Sequence, residues 1–167
     1  KHLVLCKSLE LKGRVLIAEE GINGNLTGEN DKIELYKNEL TKDSRFSDIQ
    51  FKEGPTSNHN FRKMFVRIKP EIVTWKLKAN IKNKAQYIEP EELKKLFEKN
   101  EDFVIFDIRN KYEFEIGHFE KAIRMDIDKS TELPSVMKDL MKYKNKKIVT
   151  CCTGGVRCEK ASAYLRE

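Results

Sequence analysis

Two short stretches constrain this chain most: the continuous apolar run Phe103-Val104-Ile105-Phe106-Asp107, ending in a carboxylate, and a second strand pattern, Lys147-Ile148-Val149-Thr150-Cys151, leading straight into Cys152 to Arg157. An uninterrupted apolar run of this length reads as a strand covered on both faces, as in a parallel sheet flanked by helices. The segments around them agree. Pro90 at a first helical position opens a helix over Glu91 to Glu98, with Leu93, Leu96 and Phe97 on one face. A short helix over Lys111 to Ile116, a strand near Ala122 to Met125, a helix from about Thr131 to Lys142 and a final helix after Arg157 complete the pattern. Strands alternating with helices predict an α/β layer architecture.

The first half reads differently. Arg14 to Ala18 is apolar and β-branched, Gly21-Ile22-Asn23-Gly24 supplies turn chemistry, and Asn25-Leu26-Thr27 resumes an extended pattern, which predicts a hairpin. A helix over about residues 31 to 41 and strands at Ile49 to Glu53 and Met64 to Ile68 are expected next. Pro70 to Lys84 loses periodicity and reads as an extended linker, so the expected units are 1–69 and 85–167 joined by 70–84.

Charge divides the chain in the same way. The net charge is +6. Residues 1 to 84 carry 17 basic and 11 acidic side chains, whereas residues 85 to 167 carry 16 of each, so the whole surplus lies in the first half. That asymmetry points the first unit at a polyanion, against the alternative of a solvated Lys-rich face. The stretch Asn60-Phe61-Arg62-Lys63-Met64-Phe65-Val66-Arg67 interleaves basic and aromatic residues, and Arg62, Lys63 and Arg67 are the candidates for phosphate contact. The competing reading places Phe61 and Phe65 in the core.

No apolar run approaches the roughly 20 residues that cross a bilayer, and Lys1 to Cys6 is too short for a secretory lead. The expected setting is the cytoplasm, without a membrane. Cys6, Cys151, Cys152 and Cys158 do not have the spacing of a disulfide framework. No two-residue spacer separates any Cys pair, and His2, His59 and His118 are scattered, so no metal site is expected.

The richest segment is Cys152-Thr153-Gly154-Gly155-Val156-Arg157. It leaves the carboxyl end of a strand, where open α/β sheets bind ligands. Both glycines can take backbone angles closed to other residues, turning successive N–H groups inward as an anion nest. The following helix adds its positive end and Arg157 a fixed charge, so Cys152 is expected to ionise easily and act as nucleophile. Two registers compete: counted from Cys152, Thr153 to Arg157 make a tight cradle for a sulfur carried on cysteine, and counted from Cys151 the loop is wider, like a phosphatase cradle. Cys151 reads as core, because it continues the apolar strand. Cys158, in the first turn of the last helix, is either a resolving thiol or a small space-filling residue. Asp107 and Arg109 at a strand end read as braces for neighbouring loops, as do Glu113 and His118.

Asp107-Ile108-Arg109, Glu113-Phe114, Gly117-His118-Phe119 and Ala122-Ile123, followed by the Cys152 to Arg157 loop, resemble the rhodanese domain. Gly13-Arg14, Ala18 to Gly24 with Leu26 and Gly28, and Cys152 to Ser162 resemble, more narrowly, the bacterial tRNA uridine hydroxylase family of rhodanese-like proteins. The resemblance implies an N-terminal acylphosphatase-like (ferredoxin-like) α/β domain ahead of the rhodanese domain. It also implies oxygen-dependent hydroxylation of uridine 34 in the tRNA anticodon to 5-hydroxyuridine, with molecular oxygen as co-substrate and the rhodanese cysteine at Cys152. Against the family pattern, the first strand of the first domain and the last strand and helix of the second are expected to be missing. A sulfurtransferase working through a Cys152 persulfide and a non-catalytic RNA-binding module are the competing readings.

Overall fold

The computed structural model describes residues 1–56 and 61–167; His59 and Asn60 lie outside the described residues. The chain separates into two compact units, Lys1–Ile72 and Val73–Glu167.

In the first unit, α1 (His2–Ser8) leads into β1 (Lys12–Ala18), which pairs antiparallel with β2 (Gly21–Thr27), from Lys12 opposite Thr27 to Ala18 opposite Gly21. The hairpin exists, but its turn is Glu19-Glu20, and the stretch Gly21 to Gly24 expected to turn is strand. Here glycine serves close approach. A Cβ on Gly24 would lie 2.8 Å from Val15 Cγ2, and one on Gly13, at φ +146°, would lie 2.1 Å from the Asn25 carbonyl oxygen. β3 (Met64–Ile68) adds to the other side of β1 in parallel, giving the order β2-β1-β3.

Beneath the sheet, α2 (Asn30–Thr41) buries Tyr36 and Leu40 against Cys6 and Leu11, with Ile33, Ile49, Phe51 and Met64 around them. The strand expected at Ile49 to Glu53 is irregular chain. Its alternating apolar residues report burial of Ile49 and Phe51, which a loop lying along the core achieves without a sheet ladder.

The second unit is built on a parallel sheet in the order β5-β4-β6, formed by β5 (Ala122–Arg124), β4 (Phe103–Asp107) and β6 (Lys147–Cys151). Central β4 sends Phe106 to a core of Trp75, Ile108, Met125, Leu133, Met137, Leu140 and Ala161, and Ile105 to the opposite core with Leu93 and Leu96 of α3 (Pro90–Glu98). Both faces are covered, which is why the strand has no polar alternation. α4 (Lys111–Ile116) follows β4, and α6 (Val156–Leu165) follows β6. The helix expected over 131 to 142 is broken: 3-10 turns at Ser130–Glu132 and Met137–Tyr143 flank α5 (Leu133–Val136). Leu133, Met137 and Leu140 still reach the core, so the helical spacing survives while the hydrogen-bond pattern tightens.

Residues 73 to 84 form one wall of this unit and do not run as a free linker. Trp75 is buried in the core, and the Lys160 ammonium donates to the Val73 carbonyl at 2.9 Å. The Asn80 amide donates to Glu167 Oε1 at 2.8 Å, and Arg166 Nη1 to the Lys84 carbonyl at 3.1 Å. A segment without regular apolar period is fastened by Trp75, with Val73 and Leu77 packed beside it, and by its backbone groups. Among the described residues, no helix is long and apolar enough to cross a membrane.

Candidate active site

Strand β6 ends at Cys151 and α6 begins at Val156, so Cys152 to Gly155 form a four-residue loop at the carboxyl edge of the parallel sheet. Gly155 caps α6 in a left-handed conformation, φ +88°. Gly154 does not have a positive φ, so only one of the two glycines uses an angle that favours glycine. The Gly155 amide donates to Cys152 Sγ at 3.1 Å. Backbone amides of Gly154 and Cys158 also face the sulfur, and the Cys158 thiol hydrogen-bonds to it.

The Cys152 thiol is accordingly pulled well below its ordinary range, first by the Cys158 thiol and then by the three amides, against a burial cost that pushes it up. Cys158 is pushed up by the same bond and by burial, so within the pair the negative charge sits on Cys152. Adjacent Cys151 behaves in the opposite way. Burial, followed by the carboxylate of Asp107, pushes its thiol up to about 12.

Arg157 is engaged mainly elsewhere. Its Nη1 donates to Glu113 Oε2 at 2.9 Å and its Nη2 to Glu113 Oε1 at 2.8 Å and to Thr153 Oγ1 at 3.0 Å. The Thr153 hydroxyl also donates to Glu113, as do the amide and side chain of Asn110 at 3.1 and 2.6 Å. With Arg157 as the largest influence, the Glu113 carboxyl is held down to about 2. Cys152 is the lesser partner of the guanidinium, whose first action is to tie the loop to α4.

A second fork lies at the end of β4. Arg109 Nε donates to Asp107 Oδ1 at 2.8 Å and its Nη2 to Asp107 Oδ2 at 2.6 Å, while the same Nη2 reaches the Gly117 carbonyl at 2.6 Å. Asp107 is buried, so this pair braces the strand end against the turn after α4. His118 bonds through Nδ1 with the Phe114 carbonyl at 2.9 Å and stacks on the Phe114 ring.

Sequence reasoning missed Tyr87 and Glu159. The Tyr87 hydroxyl donates to Glu159 Oε1 at 3.2 Å, and its ring lies against Gly155, with Oη 2.7 Å from where a Gly155 Cβ would stand. Desolvation, then Glu159, pushes the phenol up to about 12. No linear pattern links residue 87 to the loop.

In the first unit Arg62 and Lys63 are exposed beside β3, and Lys63, Phe65 and Arg67 alternate on its outer face. Phe65 stays out of the core, with the Arg67 guanidinium 6.0 Å from its ring centroid, whereas Phe61 is half-buried. Among the described residues, no group of three or more His, Cys, Asp or Glu side chains is placed to hold a metal ion.

Comparison with known proteins matches residues 1–72 to the UPF0176 acylphosphatase-like domain and residues 89–167 to the rhodanese-like domain. The chain thus joins an acylphosphatase-like domain to a rhodanese-like one. The protein of Enterococcus faecalis called tRNA uridine(34) hydroxylase is 46% identical over 169 aligned residues, covering 99% of this chain and 53% of that protein. Proteins of the same name from Bacillus mycoides and Bacillus thuringiensis are 46% and 45% identical with the same coverage. The chain thus spans about half the length of the curated relatives it matches. Of the two matched domains, the rhodanese-like one holds the thiol-bearing loop and the acylphosphatase-like one the outward basic strand.

Proposed function

We propose that this chain carries the reacting thiol and part of the tRNA-holding surface of a tRNA uridine-34 hydroxylase working in the cytoplasm. The observation that carries the reading is the Cys152 sulfur held by the Gly155 amide at the carboxyl edge of the sheet, in a chain 46% identical to a protein named for that activity. A thiolate is a nucleophile suited to C6 of a uracil ring, and its addition there makes C5 electron-rich, ready to form the carbon–oxygen bond of 5-hydroxyuridine. Molecular oxygen is the co-substrate in this reading, and one of its atoms leaves as water at the expense of an external two-electron donor. The Cys158 thiol and then the Cys158, Gly154 and Gly155 amides keep the sulfur charged, and Glu113, Thr153 and Arg157 hold the loop in place. Arg62, Lys63 and Arg67 contact phosphates of the anticodon region, and the exposed Phe65 ring offers a face to an unstacked base.

The test is genetic and chemical. A strain lacking the gene is complemented with wild type or with Cys152→Ala, and 5-hydroxyuridine at position 34 is measured by mass spectrometry. Wild type restores the nucleoside and Cys152→Ala does not. Undiminished 5-hydroxyuridine with Cys152→Ala overturns the role of the thiol.

The match to a rhodanese-like domain favours a second reading, in which Cys152 carries sulfane sulfur as a persulfide and passes it to a thiol acceptor. Incubation with thiosulfate would then add the mass of one sulfur to the Cys152 peptide. With no change in tRNA on gene deletion, that result replaces the first reading with the second.

A further inference from the structure

Gly155 joins the sulfur's loop to α6: its amide donates to Cys152 Sγ at 3.1 Å and its backbone is left-handed, at φ +88°. Glycine has no intrinsic preference for that conformation over several others. A contact from outside the loop adds to the hydrogen bonds that hold it there. The atoms closest to the missing Gly155 side chain are Oη, Cε1 and Cζ of Tyr87, at 2.7, 3.1 and 3.3 Å from an ideal Cβ, so the phenol ring fills the space into which the glycine would otherwise move.

The ring is itself held at both ends. Its hydroxyl donates to Glu159 Oε1 at 3.2 Å, and that oxygen also takes the Lys84 ammonium at 2.5 Å. On the backbone side, the Ala85 amide donates to Ser162 Oγ at 3.1 Å, which fixes residues 84 to 87 along α6. The Glu159 amide in turn donates to the Gly155 carbonyl at 3.0 Å. Tyr87, Glu159 and Gly155 therefore form a closed circuit of contacts with the Cys152 sulfur hydrogen-bonded to its glycine member.

We propose that Tyr87 is a positioning residue for Cys152, its ring clamping Gly155 so that the glycine amide stays on the sulfur. The inference rests on the reading above, in which the Cys152 thiolate is the reacting group. It assigns a role to a residue outside the loop, the Asp107–Arg109 fork and the Glu113 network. Because Tyr87 is half-exposed and outside both cores of its unit, its removal acts on the loop more than on the fold.

The experiment is site-resolved alkylation of Cys152 by iodoacetamide, followed by peptide mass spectrometry, from about pH 4 to pH 9. Wild type reacts with an acid midpoint. Tyr87→Ala moves that midpoint up by about one pH unit, and Tyr87→Phe, which keeps the ring on Gly155, recovers more than half of the shift. A purely structural role would lower the melting temperature and leave the midpoint in place. A folded Tyr87→Ala protein whose profile superimposes on wild type overturns the inference while leaving the Cys152 reading intact. Should Tyr87→Ala fail to fold, Tyr87→Leu, which removes the ring but keeps an apolar side chain, decides in its place: an upward movement of the midpoint supports the clamp and none overturns it. A wild-type midpoint no lower than that of an ordinary thiol removes the Cys152 reading itself, and this inference with it.

Discussion

The end of β6 and the loop that follows it differ by one residue in sequence and by the whole chemistry of their sulfurs. Cys151 is still in the ladder, opposite Asp107 of β4, and both its burial and that carboxylate favour the neutral thiol. Cys152 has left the ladder. Amides no longer used by strand pairing turn towards its sulfur, and the thiol of Cys158 adds a further donor. The side chain and the stretch of sequence are the same for both. What separates the two cysteines is what meets each sulfur: the Cys158 thiol and the released loop amides on Cys152, burial and a carboxylate on Cys151.

The sharpest way to break this comparison is competitive labelling. At pH 7, iodoacetamide is expected to modify Cys152 at least roughly a hundredfold faster than Cys151, the lower intrinsic nucleophilicity of an acidic thiolate offsetting part of its larger ionised fraction. Peptide mass spectrometry after short exposure reads the ratio directly. Equal labelling would mean that the Cys158 thiol and the released amides do not hold charge on Cys152, and the contrast would be lost.

Much of the second unit was legible for a plain reason: its candidate site residues are close in sequence to the element that presents them. The uninterrupted run Phe103 to Asp107 announced a strand covered on both faces, and Cys152 to Arg157 followed a second strand pattern into a helix. Contacts made across long separations left no mark. Tyr87 against Gly155 is one case, and Trp75 packing residues 73 to 84 onto the second core is another. The charge on Arg157 was visible, but its commitment to Glu113 depends on where α4 lies in space. In the first unit, Gly21 to Gly24 has turn composition yet lies in β2, because strand β1 needs room to approach, and composition does not separate those two uses of glycine. The alternating Ile49 and Phe51 report burial in the same ambiguous way.

The two glycines of the loop offer a smaller contrast inside the larger one. Gly155→Ala puts a methyl group into the Tyr87 ring and demands φ +88° of an alanine, a loss of about 2–3 kcal/mol in stability by denaturant unfolding. Gly154→Ala meets nothing within 4 Å and needs no left-handed backbone, so its cost stays within about 0.5 kcal/mol. Equal costs would show that Gly155 is not the constrained member of the pair.

The least of these effects concerns the carboxylate that ties the loop to α4. Glu113 is held down to about 2 in the folded chain, against 4.5 for an ordinary glutamate, with Arg157 as the first cause and Thr153 and Asn110 assisting. A depressed carboxyl contributes stability that is fully present above its unfolded value and is lost as pH falls through its folded one. Wild type should therefore exceed Glu113→Gln by about 1–2 kcal/mol at pH 7, because the glutamine keeps the shape but cannot answer the guanidinium with charge. Between about pH 4.5 and pH 2 that gap should close as wild type takes up the proton that the variant never releases. Denaturant unfolding of both proteins across this window measures it. A gap that stays constant down to pH 2 would mean that Glu113 acts by packing alone, and the loop would owe its position to the Tyr87 side more than to the α4 side.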